Sequence, residues 1–310
     1  MLETTSSSRS VAVEAPAKVN LTLRVLRRRA DGYHDLESVV AAVSLFDTLI
    51  FEAADDWHLT CHGEDVPDGD DNLALKAARL LHDTCGVRGA AHIHLEKRIP
   101  PGRGFGGGSS DAAATLIGLN DLWGCRRSRE DLAALGAHLG SDVPLFFGPP
   151  ISIVRGRGER IEPASARCSW HLVLSWPDFG MPTAQVYAAY DRLPSAGNRP
   201  SGLGGPAEPG RPAATDILDR LAGPAQEART FLVNDLEAAT RNLRPGADAS
   251  KDVRAILERA GGAAVAMTGS GSAYFALTDT EAEARRLAEA VRRAGVETAV
   301  VKILGGAQLV

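Results

Sequence analysis

The spacing of hydrophobic and polar residues changes on either side of residue 99. Residues 90 to 97 (AAHIHLEK) alternate between apolar and polar, which predicts a strand. Residues 112 to 123 carry an apolar stripe at helical spacing, which predicts a helix. Between them lies IPPGRGFGGGSSDAA, with five glycines from Gly102 to Gly108. A helix N-terminus offers unpaired N–H groups and a partial positive charge, and glycine lets the backbone approach an anion closely. Strand, glycine loop and helix in this order therefore predict a phosphate-binding site.

The same patterns predict the remaining elements. The predicted strands cover residues 11–14, 19–26, 36–45, 47–53, 57–61, 92–97, 151–154, 160–162, 171–175, 263–268, 274–278 and 297–304. The predicted helices cover residues 73–84, 112–123, 129–138, 184–190, 215–221, 226–241, 252–259 and 280–294. Residues 109 to 111 (SSD) are expected to cap the second of these helices. Residues 194 to 213, rich in Pro, Gly and Ala, predict a mobile loop. A chain of 310 residues fits two moderate domains that share a cleft.

The composition narrows the class of function. The net charge is −5, whereas nucleic-acid binders normally carry a basic excess. We therefore expect no nucleic-acid partner, and we expect local cations to meet anionic substrates. The four cysteines lie far apart without a C-x-x-C pair, as in reduced cytosolic proteins. The first ten residues lack the apolar run of a signal peptide, and no apolar stretch is long enough to span a membrane. These features predict a cytoplasmic protein without a membrane partner.

The glycine loop admits more than one interpretation. A Walker A loop ends in Gly-Lys-Ser/Thr, but residues 99 to 113 contain no lysine. A dinucleotide fingerprint can be placed on Gly102, Gly104 and Gly107, although such a fingerprint usually follows the first strand of a chain. A turn that needs glycine only for tight packing is a further possibility. Three consecutive glycines followed by Ser-Ser-Asp exceed what such a turn requires.

Polar residues in three other stretches are candidates for chemistry. Lys18 and Asn20 lie close together at the start of a predicted strand, where a lysine is more often a solvated surface residue. Residues 31 to 34 (DGYH) predict a tight turn that leaves a tyrosine and a histidine side by side. Asp142 lies between a helix end and an apolar cluster, where it could be another helix cap. From the residues alone, a structural and a functional role stay open for each of them.

The pattern P-x-x-x-G-x-G-G-G-S-S-x-A-A, which begins at Pro100, resembles the phosphate loop of the GHMP small-molecule kinases, such as galactokinase, homoserine kinase and mevalonate kinase. Three further stretches are similar to motifs of the same family: PAKVNL at 16–21, DGYH at 31–34 and GSDVP at 140–144. Each motif is moderately specific alone, and the four in order are strongly so. The resemblance runs from about residue 11 to the C-terminus. Arg103 departs from the small residue usual in the family, and Phe105 replaces the usual Leu.

This resemblance implies an α+β fold with two domains and an active site in the cleft between them. The N-terminal domain, residues 11–162, is expected to be ribosomal-S5-like and to bind ATP. The C-terminal domain, residues 163–310, is expected to be a ferredoxin-like α/β domain. A second glycine cluster at residues 269 to 272 (GSGS) is expected to pack against the phosphate loop.

The resemblance also implies the roles of individual residues. Asp142 is the expected general base, and Lys18 is expected to keep it ionised and to stabilise the charge on the transferred group. The residues expected to bind ATP are Asn72, Lys97, Pro101, Gly102, Arg103, Gly104, Phe105, Gly106, Gly107, Gly108, Ser109 and Ser110. The residues expected to bind the substrate are Asn20, Tyr33, His34, Asp142, Thr183 and Tyr187. The rings of Tyr33 and Tyr187 are expected to lie on opposite sides of a cytosine. Mg²⁺ is expected to bridge the phosphates; spacing singles out no metal ligand, and the resemblance makes Ser109 a candidate.

The implied reaction is ATP-dependent phosphorylation of the 2-hydroxyl of a cytidine-diphosphate-linked methylerythritol, in the non-mevalonate route to isoprenoid precursors. The expected partner is this small molecule, and the expected state is a monomer or a weak homodimer. Three alternatives stay open: another kinase of the same superfamily, a dinucleotide-dependent oxidoreductase, and a non-catalytic nucleotide-binding protein.

Overall fold

Two long antiparallel strands, β1 (Ser10–Arg28) and β2 (His34–Ala54), pair along nearly their whole length. The computed structural model describes residues 9–64, 66–164, 166–193, 213–243 and 252–305. Nearly all of the predicted loop, residues 194–212, lies outside the described residues. The sequence predicts two strands at 11–14 and 19–26 where the structure has β1, and two at 36–45 and 47–53 where it has β2. Both predicted divisions are wrong. The register shifts at three places, the first between Pro16 and Ala17. Such bulges let a strand continue past a residue that cannot donate a ladder hydrogen bond.

β1 and β2 belong to a seven-stranded sheet built mostly from the N-terminal half of the chain. Its other strands are β3 (His58–Gly63), β4 (Ala90–Lys97), β5 (Ile151–Gly156), β6 (Arg160–Pro163) and β8 (Val233–Asn234). The helices of this half are α1 (Leu73–Cys85), α2 (Gly107–Leu122), α3 (Arg129–Gly136) and the 3-10 helix Val143–Phe147. Apolar side chains of these helices and of the sheet form one core, which includes Phe51, Ile93 and Leu116. This packing places the start of α2 close to the end of β4, as the order of strand, loop and helix predicts.

The second sheet has four antiparallel strands from the C-terminal half of the chain. They are β7 (His171–Trp176), β9 (Val265–Met267), β10 (Tyr274–Thr278) and β11 (Glu297–Lys302). The helices of this half are α4 (Thr183–Tyr190), α5 (Ala214–Arg220), α6 (Glu237–Asn242), α7 (Val253–Arg259) and α8 (Glu281–Arg293). The strand order β11-β7-β10-β9, with α7 before β9 and α8 between β10 and β11, is that of a ferredoxin-like domain. The predicted α+β fold is confirmed, and the boundary between residues 162 and 163 stays a prediction.

One predicted helix in the C-terminal half is wrong. Residues 226–241 form a 3-10 helix (Ala225–Thr230), then β8, then α6. The side-chain amide of Asn234 donates hydrogen bonds to the carbonyl oxygens of Met267 (2.9 Å) and Gly269 (2.8 Å). These hydrogen bonds join β8 to the second glycine cluster, and such tertiary contacts override the local helix propensity.

The helix α2 begins earlier than the sequence predicts. Residues 109 to 111 were expected to cap a helix that follows them, but the helix begins at Gly107 and contains all three. Gly106, which immediately precedes the helix, has a left-handed backbone with φ of 74°. Glycines contribute no apolar periodicity, so the hydrophobic pattern could not reveal that Gly107 and Gly108 are helical.

A second core joins the two sheets. It contains Val19 and Ile151 from the first sheet and Leu172 and Phe275 from the second, and all four side chains are buried. Because β1 contributes to this core, the middle of β1 lies at the junction of the two sheets, where Lys18 is found.

Replacing Gly118 in α2 with Ala is expected to destabilise the fold by about 1–3 kcal/mol, the usual cost of overpacking. A Cβ at this position would overlap the ring of Phe51 in β2. The matched control is Gly108→Ala in the same helix, where the nearest atom, Leu73 Cδ1, is 3.5 Å from the new Cβ. Urea unfolding of both variants checks the prediction. Equal unfolding free energies for the two variants would contradict it.

Candidate active site

A cleft of about 900 Å³ opens between the two halves of the chain. Most of the predicted site residues line it, namely Lys18, Asn20, Tyr33, His34, Asn72, Lys97, Pro101, Gly102, Gly104, Phe105, Gly106, Gly107, Gly108, Ser109, Asp142, Thr183 and Tyr187. The other two predicted residues, Arg103 and Ser110, lie within the described range 66–164 and do not line this cleft. The structure therefore gathers residues from four separate sequence motifs around one space.

Close backbone contacts fix the glycine loop between the two sheets. Gly104 has a φ of 88°, and a Cβ there would overlap the carbonyl oxygen of Thr268. A Cβ on Gly269, in the second glycine cluster, would lie 3.0 Å from the Cα of Gly104. The predicted packing of the two glycine clusters is confirmed. The first turn of α2 is left lining the cleft, where its unpaired N–H groups suit a phosphate.

One lysine and two aspartates form a buried cluster at the base of the glycine loop. Lys97, at the end of β4, forms ion pairs with Asp47 and, at 2.9 Å, with Asp111. Asp47 also accepts hydrogen bonds from the backbone N–H groups of residues 98 and 99, at 2.6 and 2.8 Å. The Lys97 ammonium is therefore engaged by protein carboxylates, and its expected contact with the nucleotide stays a prediction.

Replacing Asp111 with Asn is expected to make stability less dependent on pH. Burial raises the pKa of Asp111 to about 7, although the charge of Lys97 opposes this shift. A carboxyl whose pKa is higher in the folded state stabilises the fold below its unfolded pKa of 3.8, and this contribution is lost as the pH rises through about 7. The unfolding free energy of the wild type should therefore fall relative to that of Asp111→Asn as the pH rises from about 4 to about 8.

Denaturant unfolding of both proteins at several pH values in this range checks the prediction. A difference in unfolding free energy that stays constant with pH would contradict it.

Lys18 and Asp142 meet beside the glycine loop. The Nζ atom of Lys18 lies 3.7 Å from Oδ2 of Asp142, and the two side chains are 6% and 45% exposed. A Cβ on Gly106 would lie 3.0 Å from the Cγ of Lys18, so the lysine chain contacts the loop directly. A Cβ on Gly140 would lie 4.0 Å from the Oγ of Ser109, so the turn before Asp142 adjoins the first turn of α2. A half-exposed carboxylate in this position can accept a proton from a hydroxyl bound next to a phosphate.

Asn20 holds the ammonium of Lys18 in place. Its Oδ1 accepts hydrogen bonds from Lys18 Nζ (2.8 Å) and from the N–H of Gly269 (3.1 Å). Its Nδ2 donates to the hydroxyl of Ser38 at 2.8 Å. The amide therefore links β1, β2 and the second glycine cluster, and its expected contact with the substrate stays a prediction.

A further part of the cleft is aromatic. The ring of His34 stacks on Tyr187 with centroids 5.1 Å apart, and its Nε2 lies 2.7 Å from Oδ1 of Asp191. Tyr33 is 58% exposed, and the guanidinium of Arg157 lies 4.9 Å from the centroid of its ring. Tyr187 thus stacks on an imidazole, and the expected sandwich of a cytosine between Tyr33 and Tyr187 stays a prediction.

Asn72 and Thr183 are both occupied by protein contacts. Asn72 caps α1: its Oδ1 accepts from the N–H of Ala74 at 2.9 Å, and its Nδ2 donates to the carbonyl of Pro67 at 2.7 Å. The hydroxyl of Thr183, at the start of α4, lies 2.9 Å from that of Ser270. Their expected contacts with adenine and with the substrate stay predictions.

The side chains of Arg103 and Phe105 contact residues of the C-terminal half of the chain. Phe105 is buried, with the centroid of its ring 5.8 Å from that of Trp176 in an edge-on arrangement, and its carbonyl accepts a hydrogen bond from the N–H of Lys18. Burial lowers the pKa of Arg103, whose guanidinium lies close to Gly180. The expected contacts of these two residues with ATP stay predictions.

Two family models match the chain. The model of the GHMP kinases N terminal domain matches residues 72–148, and the model of the GHMP kinases C terminal domain matches residues 225–297. Together with the two-sheet fold and the glycine loop in the cleft, these matches define an ATP-dependent small-molecule kinase of the GHMP class.

Close relatives narrow this class to one family. A 4-diphosphocytidyl-2-C-methyl-D-erythritol kinase of Brevibacillus brevis is 37% identical over 300 residues, covering 95% of this chain and 97% of that protein. The kinase of the same name from Rhodococcus jostii is 41% identical, covering 91% and 88%. A crystal structure of 4-(cytidine 5'-diphospho)-2C-methyl-D-erythritol kinase superposes with a TM-score of 0.76 at 37% identity, covering 95% of this chain and 100% of that one. The chain belongs to the 4-diphosphocytidyl-2-C-methyl-D-erythritol kinase family.

Family membership decides between the alternatives. The prediction of a kinase is confirmed, and the dinucleotide-dependent oxidoreductase and the non-catalytic binding protein are set aside. Within the ranges that the structure describes, no helix has both the length and the apolar character needed to cross a membrane.

Sequence reasoning missed four charged residues of the site. Asp47 and Asp111 engage Lys97, Asp191 engages His34, and Arg157 lies on Tyr33. A local signal existed for two of them: Asp191, the residue after α4, follows Tyr187 by four residues, and Asp111 lies in the glycine-rich stretch itself. The others depend on contacts between distant parts of the chain.

Proposed function

We propose that the chain transfers the γ-phosphoryl group of ATP to the 2-hydroxyl of 4-diphosphocytidyl-2-C-methyl-D-erythritol, the compound in the names of its relatives. The observation that carries the proposal is the 3.7 Å approach of Lys18 to Asp142 beside the glycine loop, in the cleft that also holds His34 stacked on Tyr187. The first arrangement suits phosphoryl transfer, and the second suits recognition of a nucleobase.

In this proposal the loop from Gly104 to Ser110 holds the β- and γ-phosphates through backbone N–H groups. Asp142 accepts the proton of the 2-hydroxyl as its oxygen attacks the γ-phosphorus, and the bond to the β-phosphate oxygen breaks to release ADP. Lys18, held by Asn20, stabilises the negative charge on the transferred group. The protein contributes positioning and charge, which are the main requirements of phosphoryl transfer.

Mg²⁺ fits the oxygen donors of this site. In phosphoryl-transfer enzymes it is held by substrate phosphates and by only one or two protein oxygens. The hydroxyl of Ser109, in the first turn of α2 and next to the Gly140 turn, is the protein oxygen that we propose for it. When bound, the metal would neutralise charge between the β- and γ-phosphates.

The aromatic part of the cleft is proposed to bind the cytosine. Stacking of a base on an aromatic side chain contributes about 1–3 kcal/mol. Burial raises the pKa of Tyr187, and the negative charge of Asp142 adds to the shift. Both residues line the same cleft. A base stacked at Tyr187 and a polyol at Asp142 would therefore occupy two parts of this one cleft.

An assay of ADP release with a panel of acceptors tests the proposal. The expected result is turnover with 4-diphosphocytidyl-2-C-methyl-D-erythritol and only background release with mevalonate, homoserine or galactose. Comparable turnover with one of the other acceptors would contradict the proposed substrate, and no turnover with any acceptor would contradict the proposed activity.

We also propose a cytoplasmic location and a monomer or weak homodimer. The four cysteines are free thiols, which suits a reducing compartment. Light scattering over a range of protein concentrations checks the oligomeric state; a single mass of four subunits would contradict it.

A further inference from the structure

Four lysine and arginine side chains line the cleft: Lys18, Arg28, Lys97 and Arg157. Three of them are matched by protein carboxylates. Lys18 approaches Asp142 (3.7 Å), Arg28 approaches Asp191 (3.4 Å), and Lys97 is held by Asp47 and Asp111. Within the described residues, the guanidinium of Arg157 has no carboxylate partner within 4 Å.

Arg157 occupies the turn between β5 and β6, and its side chain is exposed. The guanidinium lies over the ring of Tyr33, 4.9 Å from the centroid. Such a cation–π contact holds the planar group in a defined orientation without using its five N–H donors. The positive charge of Arg157 also contributes to lowering the pKa of Asp31. The carboxylate of Asp31, however, forms its ion pair with the guanidinium of Arg29, at 3.0 Å.

The next residue places this turn beside the catalytic carboxylate. A Cβ on Gly158 would lie 3.8 Å from Oδ1 of Asp142 and 3.4 Å from the Cβ of Ser141. The turn therefore spans the wall of the cleft from Tyr33 to Asp142. In a nucleoside diphosphate joined to a polyol, the two phosphates lie between the base and the reacting alcohol. A base at the aromatic residues and a hydroxyl at Asp142 would bring the phosphates alongside Arg157.

We propose that Arg157 binds the diphosphate of the acceptor substrate, as a residue that distinguishes a nucleotide-linked polyol from an uncharged nucleoside. This inference rests on the proposed function, because it takes the acceptor to be a cytidine diphosphate derivative. Guanidinium groups pair with phosphate oxygens through two parallel N–H bonds. A charge-assisted hydrogen bond of this kind contributes enough to change affinity about 10- to 100-fold.

Calorimetric titration of the full chain with CDP and with cytidine tests the inference. The wild type is expected to bind CDP at least about tenfold more tightly than cytidine, and Arg157→Gln is expected to reduce this ratio to about threefold or less. Arg157→Lys should keep part of the ratio, because it retains the charge but loses the bidentate geometry. Arg160→Gln, which removes an exposed arginine from β6 in the same hairpin, should leave the ratio unchanged. Unchanged affinity for cytidine in Arg157→Gln shows that the cleft is intact.

Steady-state kinetics supplies a second test. Arg157→Gln should raise the KM for the acceptor about 10- to 100-fold and leave the KM for ATP unchanged. If Arg157→Gln keeps the wild-type ratio of CDP affinity to cytidine affinity, or changes only the KM for ATP, the proposed role of Arg157 is overturned. The proposed function is not affected by either result. A wild type that binds neither CDP nor cytidine would overturn this inference together with the proposed function.

Discussion

Asp142→Asn is expected to lower the turnover number by about 10²- to 10⁴-fold, the range typical of a lost general base. The amide keeps the size of the carboxylate but cannot accept the proton of the attacking hydroxyl. The carboxylate is half-exposed in the cleft, so its replacement by an amide of the same size should not disturb the fold. Steady-state kinetics with saturating ATP and acceptor measures the effect.

Two measurements separate a catalytic effect of Asp142→Asn from a structural one. Calorimetry should give ATP and acceptor affinities within a few-fold of the wild type. Asp121→Asn, which removes an exposed carboxylate from α2, is the matched control and should turn over normally. Normal turnover by Asp142→Asn would refute the assignment of the general base.

Lys18→Met is expected to lower the turnover number by about 10²- to 10³-fold, the loss typical when one electrostatic stabiliser of a transition state is removed. Methionine is unbranched like lysine and can fill most of the same buried space beside Gly106, so packing is largely kept. The variant lacks the positive charge next to the transferred group and the hydrogen bond to Asn20. The measurement is the turnover number at saturating substrates.

Lys302→Met serves as the control for Lys18→Met, because it removes an exposed lysine at the end of β11. It should leave turnover unchanged. The double variant Lys18→Met/Asp142→Asn should lose less than the product of the two single losses, because residues that act as a unit are not additive. Strictly multiplicative losses would show that the two residues act independently and would contradict the proposed pair.

The parts of the site that the sequence predicts are those carried by short local motifs. The residues of the glycine loop predict a phosphate site by themselves, because three consecutive glycines before Ser-Ser-Asp exceed what a turn requires. The expected roles of Lys18 and Asp142 depend on the resemblance of their segments to GHMP kinase motifs, because a surface lysine and a helix cap explain these residues equally well from the sequence alone. The first and last residues of the predicted elements are less accurate than the elements themselves. Gly107 and Gly108 are helical without contributing to any apolar stripe, so the start of α2 was placed too late.

The cluster of Asp47, Lys97 and Asp111 could not be predicted in the same way. It joins β2, β4 and α2, and only the folded sheet brings these elements together. The same reason explains the error at residues 226–241, where hydrogen bonds from Asn234 to Met267 and Gly269 favour a short strand over a helix. Contacts between distant residues leave no periodic signal in the chain.

The position of the new phosphate on the product tests the central claim most directly. Wild-type protein, ATP and 4-diphosphocytidyl-2-C-methyl-D-erythritol would be incubated, and the product would be examined by ³¹P and ¹³C NMR. The predicted result is one new phosphomonoester coupled to carbon 2 of the methylerythritol, with one ADP formed for each molecule of product. Phosphate on another hydroxyl, or ATP consumed without a new ester on the acceptor, would contradict the account.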